Sequence, residues 1–287
     1  MPDAQFFRDV RPQYAEVERA LFHLLKSLSP EDWARPATRL WTVNDVTAHL
    51  LDGNVRALSM WRDGYFGENP GDVSTYEKLL GFLNQMNADW VKAARRLSPQ
   101  VLIESIERTS QQVIEFLATL DLYARAPFSV AWAGESESRV WFHLARELTE
   151  RWHHQQQIRM ATGKENAEPS INTRDLYHPV LDTFMHALPH HYRSVSAPVG
   201  ATVQISVTGE AHGSWTIERQ EQDWKLLATG HGPATTTVTL PDSVAWRIFT
   251  RGIETKGIDL AEAEKLASIS GDAALGLHAL KMVAVMA

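Results

Sequence analysis

The chain has no cysteine in its 287 residues. That absence excludes disulfides, thiolate zinc sites, iron–sulfur clusters and a cysteine nucleophile. Any metal must be held by imidazole and carboxylate groups, and any reacting sulfur must come from outside the chain. Basic residues are outnumbered, 28 Lys and Arg against 35 Asp and Glu, and no basic block occurs, so the electrostatic footprint of a nucleic-acid binder is missing. No apolar run approaches the roughly 20 residues that span a bilayer. The opening stretch MPDAQFFRDV lacks the basic and then apolar segments of a secretory signal, so the expected location is cytoplasmic, with no membrane partner. What is present is an ordinary globular balance of hydrophobic and charged residues, which sets disordered and collagen-like classes aside.

At roughly 100–200 residues per domain the length suggests two domains, and the texture of the sequence divides near residue 195. Before it, helical periodicity dominates. Arg11 to Leu28 carries Tyr14, Val17, Leu21, Leu24 and Leu25 at helical spacing, and Thr42-Val43-Asn44-Asp45 opens a second helix, expected to reach about Tyr65, with a hydroxyl cap and an acid three residues on. Ser74 to Leu97, Pro99 to Leu120, Ser138 to about Ala161, and Thr173 to His191 interrupted near Pro189 complete the series. Long helices with short connectors predict a helical bundle over residues 1–195. Beyond a linker at Val195 to Gly200, four alternating stretches (Thr202–Val207, Ser214–Glu218, Trp224–Ala228 and Thr235–Leu240) read as an antiparallel sheet. Asp242–Arg251 reads as a helix, Ala267–Ser270 as a short strand and Ala273–Met286 as a closing helix, so residues 196–287 form an expected smaller α+β domain.

The fifth helix is the informative one. Trp141, Leu144, Ala145, Leu148 and Trp152 make an apolar stripe, while His143, Glu147, Glu150 and His154 recur along another face at spacings of four, three and four. A Glu followed four residues later by a His sets a carboxylate and an imidazole one turn apart, able to hold one metal ion from a single helix. Such a polar stripe equally fits a solvated face. A third ligand must come from elsewhere, and His49 in the second helix is available; three protein ligands leave a position for water or substrate, as catalytic zinc sites do. His143 is an alternative ligand or a supporting group. His153, a hundred degrees round the helix from His154, is expected to point elsewhere. His23, His178, His186, His190, His191 and His278, in helices, and His212 and His231, in turns, read as structural or surface residues.

Trp41-Thr42-Val43-Asn44-Asp45-Val46-Thr47-Ala48-His49-Leu50, together with Glu150-Arg151-Trp152-His153-His154-Gln155-Gln156-Gln157-Ile158-Arg159, resembles the two signatures of the mycothiol-dependent maleylpyruvate isomerase family. The resemblance implies a DinB-like four-helix bundle that binds a divalent metal, usually zinc, through His49, Glu150 and His154. Nickel or iron also suits such ligands. Gln157 stands where the family usually has Asp. Similar proteins end in a domain like the sterol carrier proteins, and the tail is similar at Ile248-Phe249-Thr250-Arg251-Gly252, Ser270-Gly271-Asp272 and the last residues Met282 to Ala287.

By that resemblance the cofactors are the metal and mycothiol or another low-molecular-weight thiol, and the partners are that thiol and a small-molecule substrate. A metal-coordinated thiol is deprotonated, whereas a free one is mostly protonated at neutral pH. Thiolate addition to a double bond, rotation and elimination would isomerise maleylpyruvate to fumarylpyruvate; opening an epoxide or displacing a leaving group would make the protein a thiol S-transferase. An anionic substrate needs a cation, and the resemblance points to Arg251 as the catalytic arginine, with Arg247 second. The alternative is a non-catalytic protein that binds the metal and an apolar ligand.

Overall fold

The computed structural model of the chain describes residues 6–228, 233–250 and 260–285. Local chemistry sets the helix ends. α1 (Arg11–Lys26) has Pro12 in its first turn, where the missing N–H has no helical partner to lose. α2 (Val43–Arg56) starts with a complete capping box: Asp45 N donates to Thr42 Oγ1, and Thr42 N donates to Asp45 Oδ2. Thr75 caps α3 (Tyr76–Ala94) and Ser98 caps α4 (Pro99–Ala118). α5 (Val140–Thr162) stops at Gly163, whose φ of 68° lies in the left-handed region. α6 (Arg174–Met185) and the single turn α7 (Leu188–His191) follow. The interruption between them precedes Pro189 because that proline sits in the first turn of α7.

α2 continues past Arg56 as a π-helical turn, Ala57–Arg62. α1 packs on α4 and α5, and α2 packs on α3, α4 and α5. One buried polar network ties four of these helices. Glu18 of α1 pairs with Arg151 of α5 at 3.3 Å and accepts from Ser110 of α4. Asn54 of α2 donates to Ser110 at 2.8 Å and accepts from Arg151. Each charge is therefore answered by a partner from another helix, the condition under which burying it is tolerable.

The sheet has the order β3-β2-β1-β4-β5, with β1 Thr202–Thr208, β2 Gly213–Arg219, β3 Trp224–Leu226, β4 Thr236–Pro241 and β5 Ser268–Gly271. It is mixed and not wholly antiparallel as expected: β1 and β4 run parallel, Val203 opposite Thr236 through Thr208 opposite Pro241. Alternation reports only which face of a strand is buried, and β4 pairs on the edge of β1 that β2 leaves open. Val203, Ile205 and Val207 turn inward with Val238 and Leu240. They meet α8 (Asp242–Phe249) and α10 (Ala273–Ala279). A further short helix, α9 (Leu260–Leu266), precedes β5.

One apolar core runs from α5 and α6 into this layer. Trp152 stacks on Tyr177 at 4.2 Å and meets Trp246 edge-on at 5.9 Å, and the Tyr177 hydroxyl donates to the Asp242 carbonyl. The closing helix is shorter than expected because the chain leaves it at Leu280 to bond Ala284 N to Phe249 O. Arg251 and His231 lie outside the described residues.

Candidate metal centre

α2 brings His49 against the face of α5 that carries Glu150 and His154. Each of the three offers one ligand atom, and these atoms lie within 4.8 Å of one another. His154 Nε2 is 3.5 Å from Glu150 Oε2, while its other nitrogen, Nδ1, is 2.8 Å from Gln157 Oε1. An amide oxygen can only accept, so Nδ1 carries a proton, and Nε2 is the nitrogen that faces Glu150. The His49 ring sits between Trp41 and His154, with centroids 4.9 Å from each. Its Nδ1 is buried and has no hydrogen-bond partner among the described residues.

The electrostatics follow from depth. Burial opposes charge on Glu150, but the hydrogen bond with His154 and the nearby His153 and Arg146 outweigh it and hold the carboxyl well below its usual range. Burial, with His154 adding, holds His49 well below the ordinary imidazole value, so it presents a neutral ring, the form that binds metals. About two turns back along α5 from Glu150, burial lowers His143 to about 4.

This donor set fits a divalent ion. Ligands about 2.0–2.2 Å from a tetrahedral zinc lie ~3.4 Å from each other. Glu150 and His154 already stand at that spacing, and His49 closes the set with a small side-chain shift. Gln157 fixes the His154 imidazole from behind, through Nδ1. Zinc, nickel and iron all accept this chemistry.

A cavity of about 780 Å³ opens over the three residues. Its walls include His143 and Glu147 from α5, 3.5 Å apart, and Arg146, which reaches Glu147 at 3.0 Å. The polar stripe of α5 thus faces the cavity and not bulk solvent. His153 also borders it, contrary to the expectation from helical angle alone, but its Nδ1 lies 2.8 Å from the Thr149 carbonyl and it is not one of the three clustered residues. Trp61 enters from the π-helical turn and Val285 from the C-terminal segment. Trp61 and Glu18 carry no motif or spacing signal in the sequence, and the pairing of Glu18 with Arg151 beneath the site is visible only in the fold. Arg247, half-buried on α8, is not among the residues lining the cavity. His191 and His278, read as structural, stack on each other at 4.2 Å far along the chain from this site.

The sequence model described as the mycothiol maleylpyruvate isomerase N-terminal domain matches residues 14–159, half of the chain and all three clustered residues. The chain belongs to that family. No curated protein matches it. Two solved structures are similar in fold. One is a crystal structure of a histidine-to-alanine mutant of the mycothiol-dependent maleylpyruvate isomerase, at TM-score 0.50 and 12% identity over 83% of this chain and 86% of that one. The other is a crystal structure of the mycothiol-dependent maleylpyruvate isomerase, at TM-score 0.48 and 11% identity over 86% and 89%. The first of these likenesses of fold covers more of the chain than the family model does. No helix among the described residues is long and apolar enough to cross a membrane.

Proposed function

We propose that this family member is a metal-dependent enzyme that applies a low-molecular-weight thiol to an electrophilic substrate, as an isomerase of the maleylpyruvate type or as a thiol S-transferase. The observation that carries the reading is the convergence of His49, Glu150 and His154 at the wall of a cavity large enough for both thiol and substrate. His49, Glu150 and His154 would hold the ion, zinc by ligand type, and a bound ion supplies the Lewis acidity that keeps a thiol deprotonated at neutral pH. The chain supplies no sulfur of its own. In the isomerase version the thiolate gives its electron pair to one alkene carbon and the π electrons move onto the conjugated carbonyl. Rotation about the resulting single bond and elimination of the thiolate then give the other geometric isomer. In the transferase version the C–S bond forms as the leaving group departs with its electron pair.

Neither His143 nor Glu147 belongs to the clustered group, which supports an open, catalytic site over a filled structural one. Arg251 is the proposed anchor for an anionic group on the substrate, with Arg247 second. The division at 195/196, a sterol-carrier-like second domain and a cytoplasmic location near the thiol pool belong to the same reading. Protein purified without a polyhistidine tag should carry about one metal equivalent by elemental analysis, and both His49→Ala and His154→Ala should lose it. Mycothiol, bacillithiol, glutathione and cysteine, tried in turn with maleyl compounds and epoxides, test the activity. Turnover equal with and without thiol refutes the mechanism, and full occupancy in both variants refutes the metal.

A further inference from the structure

Beyond the three clustered residues, the walls of the cavity are mostly apolar, and aromatic rings dominate one side. Trp61 meets His143 edge-on at 4.9 Å and Phe116 at 5.4 Å; Phe128 lies 6.0 Å from Phe66 and 6.1 Å from His143. Phe66 and Phe128 are 49% and 42% exposed. Two large rings left open to water beside a cavity form an apolar surface waiting for a partner. Trp61 takes its place through the π-helical turn Ala57–Arg62, an irregularity that costs helix geometry and occurs most often at functional sites.

Charge in the same walls is largely spent. Arg56 is bonded to Asp52 at 2.7 Å, Arg146 to Glu147 at 3.0 Å, and Arg151 to Glu18 at 3.3 Å. Arg39 is exposed at the rim. A divalent ion would add two positive charges, which Glu150 and one thiolate cancel. His143 is neutral at physiological pH because of its burial. Among the described residues, a carboxylate placed inside the cavity would therefore compete with existing ion pairs, Arg39 at the rim excepted.

We propose that the chamber bounded by Trp61, Phe66, Phe82 and Phe128 receives an electrophile whose body is an aromatic or branched apolar group. The word electrophile rests on the function proposed above; the apolar chamber does not. Rings grouped along one side suit a planar group laid against them, offset or edge-on, and such contacts add to the gain from area alone. A compact dicarboxylate would leave these aromatic walls bare.

Benzylacetone, a saturated ketone that carries a phenyl ring and no activated double bond, is the probe, compared with maleate by calorimetry on metal-free and zinc-loaded protein. Benzylacetone should bind both forms at least about tenfold more tightly than maleate, and Trp61→Ala and Phe128→Ala should each weaken it about tenfold. Trp61→Leu, which keeps an apolar wall, should weaken it less, and circular-dichroism melting confirms that each variant is folded. Maleate binding tighter than benzylacetone overturns the proposal, as does benzylacetone binding unchanged in folded Trp61→Ala and Phe128→Ala. A separate arm measures consumption of benzylideneacetone with each thiol. Chamber binding without thiol-dependent turnover would fail the proposed function and leave this assignment standing. Thiol-dependent turnover of maleyl compounds by protein that does not bind benzylacetone would do the reverse.

Discussion

Gln157 is the residue at which the proposed metal centre is most sharply testable without touching a ligand. It is almost fully buried, and its Oε1 accepts from His154 Nδ1 at 2.8 Å. Without that acceptor, a proton on Nδ1 would sit in a dry environment unpaired, at a cost of about 1–3 kcal/mol. The imidazole would shift toward the tautomer protonated on Nε2, the nitrogen 3.5 Å from Glu150 and the one available to an ion. Metal binding must then first move that proton. Gln157→Leu should therefore lower zinc affinity by about tenfold to a hundredfold, the range for losing an outer hydrogen bond to a ligating histidine. Gln157→Glu restores an acceptor and should keep affinity at or above that of the parent protein. Competition with a chromophoric chelator at fixed neutral pH reads the affinity, and a melt on the metal-free proteins separates folding from binding. If folded Gln157→Leu holds zinc within about twofold of the parent, Gln157 does not orient His154, and the tautomer reasoning fails.

The buried network gives a stability prediction: Glu18→Ala strands Arg151 and should cost about 3–5 kcal/mol in urea unfolding, whereas a loss under about 1 kcal/mol would show that water reaches the guanidinium. His143 gives a pH prediction. Its folded value is lowered to about 4, so between pH ~6.5 and that value the unfolded chain binds a proton that the folded one excludes, and stability falls as pH falls, by up to about 3 kcal/mol. His143→Phe should flatten that part of the urea midpoint against pH, and an unchanged slope would assign it to other groups. The shared core predicts that residues 1–195 expressed alone bind an apolar dye and melt well below the full chain; a cooperative fragment of equal stability would instead favour an independent domain.

Much of the helical part was legible because its signals are local. Thr42 and Asp45 form the capping box their spacing announces, Ser98-Pro99 begins α4, and Gly163 ends α5. The strands were legible for the same reason, but their partners were not. Nothing in Thr235 to Leu240 states that it will lie parallel to Thr202–Thr208, because strand direction is settled by which edge is free when the chain returns. The closing helix was overextended because Met282, Ala284 and Val285 suit a helix in isolation; in the fold they are buried in an irregular segment pinned by Ala284 to Phe249.

The site divides along the same line. Glu150 and His154 announce themselves because helical geometry fixes their spacing; His49 is legible first only as an available histidine of the second helix, and the motif around it, by resemblance, then assigns it to the site. What spacing could not decide was whether the polar face of α5 meets water or protein. That depends on how other helices answer its charges: Arg151 finds Glu18 and the Leu50 carbonyl, Glu150 finds His154, and Trp152 on the opposite side fills the core. A helix buried on nearly every side has weak amphipathic contrast, so its sequence resembles a solvated helix with unusual residues. Trp61 was hidden for a different reason. It lies in the π-helical stretch Ala57–Arg62, where ordinary α-helical spacing carried forward from Thr42 no longer reports which face a residue takes, and there its ring meets His143. The ligand cluster is thus readable from one helix, while the chamber that selects a substrate depends on a local departure from regular helix and on packing that no single segment encodes.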